Sequence, residues 1–131
     1  CNASTSMTAF DGRYPYEAAV TAYGNGGFRF ADMSHKGSIL CLPTGVHAWA
    51  PVNAEQLTVD DFAQVFSDLE PPAVLLLGTG ATQVFMGAEI TRAFQEAGIG
   101  LEAMATGAAA RTYNILLAEK RKIGAALIAV A

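Results

Sequence analysis

Charge is scarce in this chain. Of its 131 residues 15% are charged, eight Lys and Arg against twelve Asp and Glu, for a formal net charge of −4. This balance excludes a basic footprint for nucleic acid or an anionic membrane. The basic residues are scattered apart from Lys120-Arg121-Lys122, which falls at a predicted helix end where cations suit the dipole. One such triplet is far smaller than an electrostatic nucleic-acid surface. Cysteine is nearly missing: Cys1 and Cys41 build no disulfide framework and fit a reducing compartment. Histidine is confined to His35 and His47, with no close metal-ligand spacing to each other or to Cys41, so neither a metal nor a cofactor is expected. No apolar run reaches the roughly 20 residues of a spanning helix. No charged region followed by an apolar run marks a secretory signal. An outer-membrane barrel would need many alternating strands of about ten residues, and three helical patterns stand in their place.

What is present is a core. Hydrophobic residues make up 52% of the chain, which marks a folded domain large enough to stand without disulfides or metal. Residues 1–17 read as a polar leader, with Cys1-Asn2-Ala3-Ser4-Thr5-Ser6 before Met7 partly of cloning origin. Residues 18–131 read as a single α/β domain.

The first fifty residues are strand-like and glycine-punctuated. Strands are expected at 19–23 and 28–31, around Gly24-Asn25-Gly26-Gly27, and at 38–42 and 46–50, around Pro43-Thr44-Gly45. A helix should start at Thr58-Val59-Asp60-Asp61, where Asp61 stands three residues after a capping threonine. Phe62, Val65, Phe66 and Leu69 would form its buried stripe and Pro71-Pro72 its end. Residues 73–77 form an apolar run suited to a strand covered on both faces. A second helix follows with Met86, Ile90, Ala93, Phe94 and Ala97 on one face and Gly98 as its C-terminal stop. A strand over 101–105, a third helix over 108–121 with Ala109, Tyr113, Leu116 and Leu117 inward, and a strand over 123–130 complete the chain. Strand–helix alternation of this kind predicts right-handed crossovers, a mixed but mostly parallel central sheet in a three-layer α/β domain, and helices on both faces. The early hairpins should extend that sheet or pack at its edge.

Two segments end buried strands with small and polar residues, where α/β sheets place sites. Gly78-Thr79-Gly80 follows a strand, but a dinucleotide fingerprint would need glycine where Gln83 stands, and no Gly-Lys-Ser/Thr follows for a phosphate loop. These glycines either allow a tight strand exit or line a small-ligand pocket. Thr106 is placed to cap the third helix. Arg111 lies near that helix start, where the dipole opposes a cation. It either anchors a carboxylate or phosphate or holds the carbonyls after Leu77. Asn114, three residues on, can donate and accept. No catalytic set is visible. A Gly-x-Ser-x-Gly elbow is missing, Cys41 has no electropositive sequence neighbours, and Asp60-Asp61 and Glu70 read as a helix cap and a solvated end. Trp49 and His47 share one side of a strand, with Trp49 better placed in core than on a partner surface.

The residues Gly37-Ser38-Ile39-Leu40-Cys41-Leu42-Pro43, Trp49, Leu75 to Gly80, Gly98-Ile99, Met104 to Leu116 and Glu119 together resemble the Mth938-like domain family, a domain of unknown function (DUF498). The resemblance covers roughly residues 18 to 130, and Ala110-Arg111-Thr112-Tyr113-Asn114 is its most specific part. It implies a three-layer α/β domain whose last-formed strand runs antiparallel. It also implies kinship with the mitochondrial assembly factor of respiratory complex I that carries this domain. It brings no established catalytic residues; its shared segments fall on Gly78, Thr79 and Gly80 and on Arg111 to Asn114. No mitochondrial presequence is visible before Met7, so a bacterial cytoplasmic member is the simpler expectation. The function expected is a non-enzymatic interaction or assembly domain for a membrane respiratory complex, with a protein partner bound around Gly78–Gly80 and Thr106–Asn114. The alternative is a binding protein or enzyme for a small anionic ligand, anchored by Arg111. A homodimer fits the commonest soluble symmetry, with no interface located.

Overall fold

The computed structural model describes residues 13–14, 16–31 and 33–130, so most of the polar leader, Cys1 included, lies outside the described residues. Nine strands run in chain order: β1 (Arg13–Tyr14), β2 (Val20–Gly24), β3 (Gly27–Phe30), β4 (Met33–Lys36), β5 (Ser38–Leu42), β6 (Gly45–Trp49), β7 (Val74–Gly78), β8 (Gly100–Met104) and β9 (Ile123–Leu127). Three α-helices accompany them: α1 (Ala63–Ser67), α2 (Ala88–Ala97) and α3 (Thr106–Ala118). The fold is mixed α/β with two sheets, of orders β1-β6-β5-β9-β7-β8 and β2-β3-β4.

The expectation of a mostly parallel sheet does not hold. Only β7–β8 and β7–β9 pair in parallel, as the strand–helix alternation requires, while β1–β6, β5–β6 and β5–β9 are antiparallel. The β5–β6 hairpin attaches to the β9 side of the parallel unit and brings the antiparallel pairings with it. The last strand, β9, is therefore parallel to β7 and antiparallel to β5. The first hairpin does not extend this sheet either. It pairs with β4, whose existence the sequence pattern missed, to form the separate three-stranded sheet. Its two-residue turn has Asn25 at φ 53° and Gly26 at φ 78°, the doubly left-handed geometry that such hairpins demand.

All five residues of β5 and of β9 are buried, because apolar clusters cover both faces. Ile39, Cys41, Leu76, Ala125 and Leu127 pack with Phe28 and Phe30 of the small sheet and with Ala109 and Tyr113 of α3. The alternating residues Leu40, Leu42, Leu75, Leu77 and Ala126 pack with Phe62, Val65 of α1 and Phe94 of α2. Trp49 belongs to this second cluster, its ring 5.6 Å from that of Phe62 and its indole N–H donated to the Asp61 carbonyl at 2.8 Å. Gly98 ends α2 with φ 74°.

The first expected helix is shorter than its stripe suggests. A 3-10 turn, Val59–Phe62, leads into the five residues of α1. Asp61 accepts the Thr58 backbone N–H at 2.8 Å, the reciprocal half of the expected cap. The chain turns extended at Asp68, whose carboxylate takes the Thr44 hydroxyl at 2.6 Å. Leu69 thus falls beyond the helix and is 93% exposed, and Pro71-Pro72 does not supply the stop. Ala97 is also exposed, and Met86 precedes α2.

One core polar group is out of place. Tyr113 is fully buried on α3, yet its hydroxyl makes no hydrogen bond of good geometry. Burial raises its pKa, and the facing Cys41 thiol adds to the shift. Burial likewise pushes Cys41 up to about 12. Both groups ionise more readily unfolded than folded, so the unfolded state holds fewer protons above pH 9.0, the unperturbed thiol value. Stability should therefore fall as pH rises from there. Replacing Tyr113→Phe removes a buried hydroxyl paired with nothing stronger than the Cys41 thiol, and should leave melting temperature at pH 7 unchanged or higher while flattening the alkaline fall.

Candidate functional site

The sheet order places the ends of β7 and β9 side by side, and α3 begins directly above them. Gly78 sits at this close approach. A Cβ there would lie 2.9 Å from both the Thr106 Cα and a Leu127 methyl, so only glycine lets the helix start rest on the strand. The Gly78 carbonyl accepts the Ile128 N–H at 3.0 Å.

Thr79 is buried, and its backbone N–H and its hydroxyl are both engaged within the chain. Its N–H donates to the Met104 carbonyl at 2.8 Å. Its hydroxyl has one proton; the shorter contact, 2.7 Å to the Thr82 carbonyl, takes it, while the oxygen accepts the Val84 N–H at 3.0 Å. These bonds fold the loop after β7 back on itself.

Thr106 does not cap α3. It is the first helical residue, preceded by Ala105 at the cap position with no side-chain cap bond. Its fully buried hydroxyl joins three elements instead: it donates to the Ile128 carbonyl at 2.7 Å and accepts the Gly80 N–H at 2.9 Å, while its own N–H donates to the Gly80 carbonyl at 2.8 Å. In sequence, a threonine before a helical pattern looks the same whether its hydroxyl turns to the helix or to a neighbouring strand.

Asn114 is a brace of another kind. Its Oδ1 accepts the Val20 N–H at 2.8 Å and its Nδ2 donates to the Val20 carbonyl at 2.7 Å. The side-chain amide thus does for the edge strand β2 what a neighbouring strand would do, and clamps the small sheet to α3. Arg111 behaves differently from the other five candidates. It lies in the second turn of α3, is exposed, and makes no hydrogen bond or ion pair among the described residues. It does not hold the carbonyls after Leu77; Thr79 and Thr106 do. The structure brings Gly78, Thr79, Gly80 and Thr106 into one internal knot and leaves Arg111 and Asn114 together in a cleft of about 360 Å³ between α3 and β2.

Sequence reasoning missed Tyr23 in this region. Its phenol reaches over the start of α3, and a Cβ at Gly107 would run into its ring. The only sequence signal was an aromatic directly before the Gly-Asn-Gly-Gly turn. Among the described residues no group of three or more His, Cys, Asp or Glu is placed to hold a metal ion, and no helix is long and apolar enough to cross a membrane.

The fold and site define a mixed α/β domain whose glycine loops are sealed by their own hydrogen bonds. The chain belongs to the family "protein of unknown function (DUF498/DUF598)", whose model matches residues 20–128. An uncharacterized protein of Rhodobacter capsulatus is 32% identical over 109 residues, 83% of this chain and 82% of that protein. Mouse NADH dehydrogenase [ubiquinone] 1 alpha subcomplex assembly factor 3 is 28% identical over 125 residues, 95% of this chain and 67% of the factor. The crystal structure of an outer membrane protein from Bartonella henselae superposes with a TM-score of 0.86 at 43% identity, over 90% of this chain and 99% of that one. The solution structure of a Bordetella pertussis protein described as a Mth938-like domain matches with a TM-score of 0.74 at 33% identity, over 85% of each chain.

Bracing and binding separate cleanly by substitution. Asn114→Ala and Thr106→Val each leave buried backbone groups unpaired and should cost about 1–3 kcal/mol in denaturant unfolding. Arg111→Ala should leave the unfolding midpoint unchanged.

Proposed function

We propose that the chain is a protein-interaction domain that assists assembly of a membrane respiratory complex from the cytoplasmic side without catalysing a reaction itself, and that Arg111 belongs to its partner surface. One observation carries this reading: of the six candidate residues, the five small or polar ones are engaged in holding the fold, and only Arg111 presents unengaged donors outward. The kinship with the complex I assembly factor supplies the kind of partner. An exposed guanidinium with no internal partner suits carboxylates on another protein, since it gives up no existing bond on docking. The Gly78–Gly80 loop contributes by seating α3, not by direct contact.

The test is a paired affinity capture at native expression level, with folded wild type and Arg111→Ala. Respiratory-complex subunits or their assembly partners retained by wild type and lost in the variant are the expected result. Identical captures from both would remove Arg111 from the partner surface, and empty captures or normal complex I levels in a deletion strain would defeat the assembly reading.

A second reading rests on the cleft itself. About 360 Å³ beside Arg111 is room for a small carboxylate or phosphate. A thermal-shift screen of such anions would then show stabilisation that disappears in Arg111→Ala.

A further inference from the structure

The β2–β3–β4 sheet carries a second cavity, of about 310 Å³, that adjoins the Arg111 cleft across β2. The two share Ala22 and Tyr23. The strand register explains its shape. Ala22, Arg29 and Ser34 form one row across the sheet, and Gly24, Gly27 and Lys36 the row two residues away. Rows two apart share a face, so Arg29 and Lys36 rise from the same face, as diagonal neighbours roughly 7–8 Å apart. Between and beside them the residues are small: Ala22, Gly24, Gly27 and Ser34 raise no wall. The outcome is a shallow cleft with two cations over a low floor. Gly27 cannot carry a larger residue, since a Cβ there would run into the His35 backbone carbonyl.

Charge makes this surface stand apart. The chain is net −4, yet among the described residues lining the two cavities there are three cations, Arg29, Lys36 and Arg111, and no carboxylate. The salt bridge found among the described residues, Arg121–Glu119, lies elsewhere. Like-charged neighbours without a counter-charge cost energy in the free protein, and a partner carboxylate relieves it. Tyr23, 45% exposed on the ridge between the cavities, adds an amphipathic aromatic of the kind that anchors interfaces.

We infer that this double cleft across β2 is a docking site for an acidic polypeptide segment, which sets carboxylates on Arg111 on one side of Tyr23 and on Arg29 and Lys36 on the other. The inference rests on the interaction-domain reading and names the chemistry of the partner. A polypeptide fits better than the other polyanions. Three cations fall short of the clusters of about four to eight that hold anionic lipid headgroups. They also fall short of the six to ten or so phosphate contacts of a nucleic-acid binder. Two adjoining clefts that share Tyr23 suit neighbouring parts of one extended chain.

The experiment is selection of a random peptide library displayed on phage against the folded protein, followed by synthesis of the enriched peptides. The expected result is an excess of Asp and Glu interspersed with apolar residues. Binding by fluorescence anisotropy should weaken with added salt, and be at least about tenfold weaker in the triple variant Arg29→Glu, Lys36→Glu, Arg111→Glu. Amide shifts on peptide addition should cluster on β2, β3, β4 and the first two turns of α3. If the triple variant fails to fold by circular dichroism, Arg29→Ala and Arg111→Ala singly should each weaken binding. Gly107→Ala, which displaces Tyr23 without touching charge, should do the same. An empty selection, enriched peptides with no acidic excess, affinity indifferent to the three cations, or shifts elsewhere would overturn the proposal. So would cation-dependent sedimentation with phosphatidylglycerol vesicles in place of peptide binding. Natural partners still captured by the triple variant would show this surface to be wrong while the interaction reading stands.

Discussion

The hydroxyl of Thr106 is the contact on which the rest of this structure depends. It is completely buried, it donates to the Ile128 carbonyl just past β9, and it receives the Gly80 N–H from the loop after β7. Three chain segments, brought together from residues 80, 106 and 128, are fixed to one oxygen. An alanine or valine there would leave a buried carbonyl and a half-buried N–H unpaired, which costs more than the net worth of either bond. The same contact requires Gly78 beneath it, because nothing with a Cβ admits the helix start so close to the strand. The position of α3, and with it the direction of Arg111 and the reach of Asn114 to Val20, follows from this junction.

Much of the architecture was legible because it is written in local pattern. The apolar runs at β5, β7 and β9, the Asn25-Gly26 turn and the left-handed stop at Gly98 were all readable from residue type and spacing. Pairing direction was not. The run over β5 is equally suited to a parallel or an antiparallel neighbour, and only the three-dimensional meeting of β5 with β9 decides it. Leu69 fits a helical stripe as well as Val65 does, and the Asp68 contact to Thr44 that ends the helix early joins residues 24 apart in sequence. Nothing in the local pattern marks such a contact.

The candidate residues show the same limit in a sharper form. Thr79, Thr106 and Asn114 are polar side chains at strand ends and a helix start, where α/β folds place chemistry. The same positions are where such folds need polar cross-ties between loops, and residue type does not separate the two uses. What separates them is whether the polar atoms are already engaged. In this protein they are, through six side-chain hydrogen bonds of 2.7–3.0 Å to the backbone. Arg111 escapes that description, and Tyr23 lines the same cleft, marked in the sequence only as an aromatic before a turn. Three of the chain's eight Lys and Arg, Arg29, Lys36 and Arg111, line the two cavities beside β2. An assembly factor of NADH dehydrogenase is among the proteins this chain is similar to.

The central claim, that these polar residues are braces and not an open site, is tested most directly by native-state hydrogen exchange. The Gly80 and Val20 N–H groups donate to side-chain oxygens, Thr106 Oγ1 and Asn114 Oδ1, not to a regular ladder. If the two side chains are permanent members of the fold, both amides should exchange only through global unfolding, as slowly as the central residues of β7. Rapid exchange of either amide, with the rest of the sheet protected, would show that its partner side chain is free to turn outward, and would return that residue to the list of binding groups.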